Sequence, residues 1–297
     1  MAFAPARQPT RAYDLSMTTA PAPTAFVLGG GGVRGAVQIG MLRALLERGI
    51  TPDLVVGTSI GAINGAALAA DPTPAVVPRL ESAWSSPAAA QVYGEAWYRQ
   101  VHRLATTRTH LASPAPLRAL LRQVLGERTT FADLAVPLVV AAASIERAAE
   151  RWFSDGPLVE AVLASASVPG ALPPTRIGDE HYVDGGVVSS IPLGEAVRRG
   201  ARTVWVLQVG RIEEPLRPPR TAVEVAKVTF EIARRHRFAR ELAEVPDDVT
   251  VHVLPSGGPL PGDDRLSSSR RLDTTRARAA SSYTASCRYL DELGGGA

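Results

Sequence analysis

Two glycine-rich turns constrain this chain more than any other feature of it. The first is Gly29-Gly30-Gly31-Gly32-Val33-Arg34-Gly35, and the second is Gly57-Thr58-Ser59-Ile60-Gly61. The apolar runs that lead into them, residues 25–28 and 54–57, are too short for helices and read as buried strands. Each turn opens into a helical stretch. Over residues 35–48, Ile39, Leu42, Leu45 and Leu46 recur at helical spacing and Gly49 is the stop; residues 60–70 form the second helix. Strand, helix, strand, helix at this spacing is the signature of a parallel α/β sheet.

The rest of the chain extends that reading. Residues 137–143 and 203–209 are continuous apolar runs, as expected of strands covered on both faces. Between them the pattern predicts a strand at 151–153, a helix at 157–166, a loop at 167–174 and a turn carrying Asp184-Gly185-Gly186. Ser190 and Pro192 open a short helix that Gly200 stops, residues 221–243 form a long helix, and residues 249–254 a last strand. Residues 71–128 differ: rich in Pro and Ala, they read as a helical insert with Trp84, Tyr93, Trp97 and Tyr98. That insert is either a cap over a site or an outer helical layer.

Ser59 is the first candidate for chemistry. A serine hydroxyl is a weak nucleophile that needs exposure and a base. Gly57 and Gly61 clear side chains from a sharp strand-to-helix turn, which lifts the serine over a helix N-terminus.

The glycine run has two readings. Gly30 to Gly35 matches the dinucleotide pattern G-x-G-x-x-G, but that pattern expects an acid about 20 residues on, at the end of the second strand. Here that strand ends in Gly57-Thr58-Ser59, and Asp53 sits at its start. As an oxyanion hole the loop fits better: amides of Gly30, Gly31, Gly32 and Val33 would face a developing negative charge, and the helix opening at Gly35 adds its positive end. Arg34 would steady the loop or meet a substrate phosphate.

The base is harder to find. His236 lies in the string Arg234-Arg235-His236-Arg237, His252 alternates with valines in an edge strand, and His181 precedes Asp184 by three residues and reads as structural. None has the setting of a catalytic base. That leaves Asp184, on its Gly185-Gly186 turn, to take the proton directly, with partial burial raising its basicity.

Four motifs now stand in order: Gly-Gly-Gly-x-Arg-Gly, Gly-x-Ser-x-Gly, the segment Ala164-Ser165-Ala166-Ser167-Val168-Pro169 with Pro173-Pro174, and Asp184-Gly185-Gly186. In this order they resemble the patatin-like phospholipase family over residues 25–210. The resemblance implies an α/β three-layer sandwich with a central, mostly parallel sheet. It also implies a Ser59/Asp184 dyad, a glycine-loop oxyanion hole, and hydrolysis of lipid acyl esters without metal or other cofactor. Transfer of the acyl group to another alcohol and hydrolysis of small esters would use the same site. A nucleotide- or lipid-binding regulatory domain is the non-enzyme alternative.

On this basis residues 24–210 are the expected catalytic domain, with the insert at about 71–128. Residues 211–293 complete the same domain and 294–297 form a tail. Residues 1–23, rich in Ala, Pro and Thr, read as disordered and lack the apolar core of about 7–15 residues that a secretory signal needs. Met17 is as good a start as Met1. No run reaches the ~18 apolar residues of a membrane span, and Cys287, the single cysteine, has no internal partner for a disulfide. The expected location is the cytoplasm, with contact at a membrane surface left open. A net charge of +3 does not suggest a nucleic-acid partner. Lys227 is the only lysine, so the basic side chains are nearly all arginine. Arg234, Arg235, Arg237 and Arg240, then Arg265, Arg270, Arg271, Arg276 and Arg278, are either a surface for anionic lipid or a solvated helix face. Oligomeric state is not legible.

Overall fold

Side chains of successive strand residues leave a sheet on opposite sides, and here each side meets its own helical layer. In strand β1 (Thr24–Leu28), Phe26 and Leu28 enter one core while Ala25 and Val27 enter another. The strands β2 (Leu54–Thr58), β3 (Leu138–Ser144) and β7 (Thr203–Leu207) split their side chains in the same way. This double burial is why their sequences are continuously apolar rather than alternating. The molecule is described from a computed structural model, which covers residues 24–87, 89, 110–210, 212, 214–258 and 271–295.

The first core lies under α1 (Ala36–Leu46), α2 (Ile60–Ala70), α3 (Val76–Trp84), α4 (Ala115–Leu125) and α5 (Leu158–Ser165). The second lies under α6 (Leu193–Arg198) and Phe238 of α7 (Ala222–Ala243). A final helix, α8 (Arg271–Gly294), packs on the outside of α1. The result is the expected three-layer α/β architecture. In the sheet, β8 (Thr250–Val253), β7, β1, β2 and β3 are parallel neighbours in that order. Antiparallel pairing is confined to one end: β4 (Ala149–Phe153) with β3, β6 (Glu180–Asp184) with β3, and β5 (Thr175–Ile177) with β6.

The pairing of β3 positions the site. Residues Val140 and Ala141 of β3 are shared by β2 and β4, which therefore occupy opposite edges; Ala142 to Ser144 are shared by β4 and β6. Strand β6 thus lies on the same edge of β3 as β2. The pair Thr58↔Ala141 ends β2, and the pair Ala142↔Asp184 ends β6 one residue further along. The two strands run head to head in a single slot, and their C-terminal ends carry Ser59 and Asp184.

Three expectations change on meeting the fold. Helix α1 is buried nearly all round, only Arg43 being exposed, because α8 covers the face that a simple amphipathic reading leaves to solvent. A Cβ on Gly40 would lie 2.7 Å from the Tyr283 backbone nitrogen, so the glycine lets the two helices touch. The expected tail begins inside α8, which continues to Gly294. The arginines of α7 are also not an open basic surface. Arg234 and Arg235 reach Glu231 at 2.8 and 2.9 Å, Arg237 reaches Glu241 and Glu150 at 2.9 Å, and Arg240 lies 3.7 Å from Glu244. Arg234 is buried as well, with its Nη2 donating to Gln208 Oε1 at 3.2 Å. Acids placed three or four residues away pair with all four arginines, Glu231 serving both Arg234 and Arg235.

Helices α3 and α4, from the two ends of the segment read as an insert, contribute Leu80, Leu117, Leu120 and Leu121 to the first core. Tyr93, Trp97 and Tyr98 lie outside the described residues, as do residues 1–23, Arg265 and Arg270. No helix among the described residues is long and apolar enough to cross a membrane.

Candidate active site

Ser59 occupies the turn between β2 and α2 with φ 57° and ψ −121°. A non-glycine residue held there carries strain on the order of 1–3 kcal/mol, and such strain tends to mark function. The flanking glycines permit the turn by close approach. A Cβ on Gly57 would sit 2.6 Å from the Gly61 carbonyl oxygen and 2.8 Å from the Ala62 Cα. A Cβ on Gly61 would sit 2.5 Å from the Leu28 carbonyl carbon and 2.9 Å from the Gly29 carbonyl oxygen. Helix α2 is thereby pressed against the end of β1, where the glycine loop begins.

The head-to-head strands bring the two candidate residues into direct contact. Ser59 Oγ donates to Asp184 Oδ2 at 2.5 Å, and both residues are buried. The Gly186 amide donates to Asp184 Oδ1 at 2.7 Å, so the Gly185-Gly186 turn caps the carboxylate. Gly185 allows that turn to press against β3, since a Cβ on it would fall 2.6 Å from the Ala141 carbonyl carbon. Burial pushes the Asp184 carboxyl up to about 6, against the opposing pull of donors from Ser59 and Gly186.

The segment Ala164 to Pro169 holds both partners. Ser165 Oγ, at the end of α5, accepts from the Ser59 amide at 2.9 Å, and the Ser167 carbonyl accepts from the Asp184 amide at 2.9 Å. Ser189 and Ser190 brace the other side. Thr58 Oγ1 donates to the Ser189 carbonyl at 2.8 Å, and the Gly30 amide to the Ser190 carbonyl at 2.8 Å.

That last bond corrects the expected oxyanion set. Gly30 passes close to the serine, since a Cβ on it would lie 3.4 Å from Ser59 Cβ, but its amide is already committed. The Gly31 and Gly32 amides meet no backbone acceptor among the described residues. Gly32, at φ 56°, turns the chain into a 3-10 turn, Gly32–Gly35, that leads into α1. Val33 stands within that turn. Arg34 is exposed at its outer side, and a Cβ on Gly35 would fall 2.9 Å from Ile60 Cδ1.

The three candidate histidines lie elsewhere. His181 is exposed, with Nδ1 2.7 Å from Glu146 Oε1; His252 stacks on Trp205 at 4.2 Å between ring centres; His236 is exposed on α7. Sequence reasoning missed Gln38, Asn64 and strand β6, and placed Ser165 in a motif without assigning its bond to the Ser59 amide. The signal for β6 was present, because Gly178-Asp179 is a two-residue hairpin turn between two short runs of strand-forming residues.

Fold and site together define an α/β protein with a strained elbow serine hydrogen-bonded directly to a buried carboxylate beside a glycine loop. The family model for patatin-like phospholipases matches residues 26–197, more than half of the chain, and the protein belongs to the patatin-like phospholipase family. Similar curated proteins include patatin-like phospholipase domain-containing protein 7 of Rattus norvegicus, 33% identical over 64% of this chain and 14% of the relative. Neuropathy target esterase sws of Drosophila melanogaster is 32% identical over 62% of this chain and 13% of the relative. The chain thus spans about one seventh of the length of these relatives. Among solved structures, VipD from Legionella pneumophila aligns with a TM-score of 0.45 and 14% identity, covering 90% of this chain and 67% of that one. ExoU of Pseudomonas aeruginosa, in its complex with SpcU, aligns with a TM-score of 0.44 and 17% identity, covering 92% and 52%.

Proposed function

We propose that this protein hydrolyses acyl esters of phospholipids or other lipids through an acyl-serine intermediate. The observation that carries the reading is the 2.5 Å hydrogen bond from Ser59 Oγ to a buried Asp184 at a strained elbow. Membership of the patatin-like phospholipase family and the esterase name of the Drosophila relative point the same way.

In the first half-reaction Asp184 accepts the Ser59 proton as Oγ bonds to the ester carbonyl carbon. The carbonyl oxygen becomes an oxyanion facing the Gly31 and Gly32 amides, with the N-terminal end of α1 adding positive potential. Collapse breaks the ester bond, and the departing alcohol takes the proton back from Asp184. In the second half-reaction water gives a proton to Asp184 and attacks the acyl-serine, and the carboxylic acid leaves as Ser59 is reprotonated. An acid with a pKa of about 6 suits both directions, being ionised at neutral pH yet more basic than an ordinary aspartate.

Covalent labelling tests the nucleophile. A fluorophosphonate probe is expected to add one mass increment, located by peptide mass spectrometry on the peptide containing Ser59, with release of carboxylic acid from p-nitrophenyl esters and phosphatidylcholine vesicles blocked in step. Labelling elsewhere, or hydrolysis that persists in fully labelled protein, would reject the proposal.

A further inference from the structure

The glycine loop is gripped from below by a buried polar chain that the reaction itself does not use. Gln38, on α1, has no solvent exposure, and neither has Asn64 on α2. Gln38 Nε2 donates to the Gly29 carbonyl at 2.8 Å and to the Leu207 carbonyl at 2.9 Å. Its Oε1 accepts from Asn64 Nδ2 at 2.8 Å. The same Asn64 nitrogen donates to the Gly35 carbonyl at 3.1 Å. Asn64 Oδ1 in turn accepts from Trp84 Nε1 at 2.9 Å. Two side chains in contact therefore hold the first and last carbonyls of the loop 29–35, and Trp84 at the end of α3 closes the chain.

A largely apolar core carries these amides at a desolvation penalty that only full pairing offsets. Gln38 ties α1 to the end of β7 through the Leu207 carbonyl, but its other bonds and those of Asn64 go to the glycine loop and Trp84. What they do geometrically is fix both ends of a loop whose middle amides, Gly31 and Gly32, lack backbone partners among the described residues. A seven-residue loop with several glycines would otherwise sample many conformations, and a donor aimed at an oxyanion is effective only when it is already in place.

We propose that Gln38 and Asn64 are positioning residues that preorganise the oxyanion loop, with Trp84 as their outer anchor. This rests on the acyl-serine reading above. The role is to set loop geometry, so loss of the network acts on the transition state more than on substrate binding or on the base.

The test uses Gln38→Met, which keeps length and volume while removing every bond of the amide, and Trp84→Phe, which keeps an aromatic ring but removes the indole N–H together with part of the ring's volume. Since a single oxyanion donor is worth about 10²–10³ in rate, Gln38→Met is expected to lower kcat on a p-nitrophenyl ester by about 10–100-fold. KM should stay within about 2-fold and the acid limb of the pH profile near 6 should not move. Trp84→Phe, the milder change, is expected to show the same split at about 2–5-fold. Hydrogen exchange read by mass spectrometry should accelerate in the peptide spanning residues 29–35 in both variants. Unchanged loop exchange overturns the proposal, as does a rate loss that follows only the folded fraction. If Gln38→Met does not fold, Trp84→Phe decides alone. If the wild-type protein hydrolyses no ester, the acyl-serine reading fails while the exchange data still judge the clamp.

Discussion

Ser59→Ala and Asp184→Asn are each expected to lower kcat for a p-nitrophenyl ester by about 10⁴-fold or more, with the double variant no worse than the poorer single. The non-additivity follows from the geometry. One hydrogen bond of 2.5 Å joins the pair, so removing either end removes the same proton transfer. Asn keeps the shape of Asp184 and can still accept the Gly186 amide bond seen at 2.7 Å, so the loss reports chemistry rather than collapse of the turn. His181→Gln, His236→Gln and His252→Gln should retain near-full activity, since these rings lie against Glu146, solvent and Trp205. The pH profile supplies an independent check. In the proposed mechanism the working form of Asp184 is the carboxylate, so kcat/KM should rise with pH, bend near 6 and then plateau. Full activity in Asp184→Asn would sink the dyad.

The same carboxyl leaves a signature in stability. Its folded-state value of about 6 lies above the usual aspartate value of 3.8 because burial disfavours the charge. The native state therefore holds the proton more tightly than the unfolded chain. That contribution to stability is fully present below 3.8 and is lost as pH rises through about 6. A shift of roughly two units corresponds to about 3 kcal/mol. Asp184→Asn should thus be more stable than wild type in urea titrations, with the gap widening as pH rises from 3.8 to about 6 and levelling off above that. An inactive variant that gains stability is what a site holding a buried charge for function predicts.

Much of this was legible in the sequence because the relevant signals are local. Short apolar runs ending in glycines set β1 and β2, and the spacing to the next apolar repeats set α1 and α2. Ser59 could be proposed from its strand-to-helix turn, whereas Asp184 emerged only once the histidines were set aside and the motif order resembled a family. The features that stayed hidden depend on long-range contact. The head-to-head placement of β2 and β6 is a property of β3, whose one edge serves both, and no window around Asp184 contains it. The burial of α1 on both sides depends on α8, whose residues lie far along the chain. Gly30 looked like an oxyanion donor because nothing nearby in sequence claims its amide; the claimant is Ser190. The arginines of α7 read as a cluster because the eye collects like charges, whereas Glu231, Glu241 and Glu244 beside them pair with them.

Gly61→Ala is expected to be severely damaging, costing about 4 kcal/mol of stability or more. The three nearest atoms to its Cβ are all backbone: the Leu28 carbonyl oxygen and carbon and the Gly29 carbonyl oxygen. None can rotate aside as a side chain would. Relief requires either α2 to lift from the sheet, which tilts Ser59, or the end of β1 to retreat, which carries the glycine loop away from the serine. Gly65→Ala, one turn later on the same helix, is the control. Its Cβ would meet Val55 Cγ1 at 3.0 Å and Leu138 Cδ1 at 3.6 Å, side-chain atoms with room to shift, and alanine gains about 1 kcal/mol in helix propensity. Urea midpoints of the two variants should therefore separate widely. If Gly61→Ala still folds, its residual protein should show slower fluorophosphonate labelling of Ser59 with the acid limb of the pH profile still near 6. Equal midpoints for the two variants would mean that the elbow and the glycine loop are not mechanically one unit. The contact at Gly61 implies that they are, with the positions of Ser59 and of the glycine loop set by a single close approach between α2 and β1.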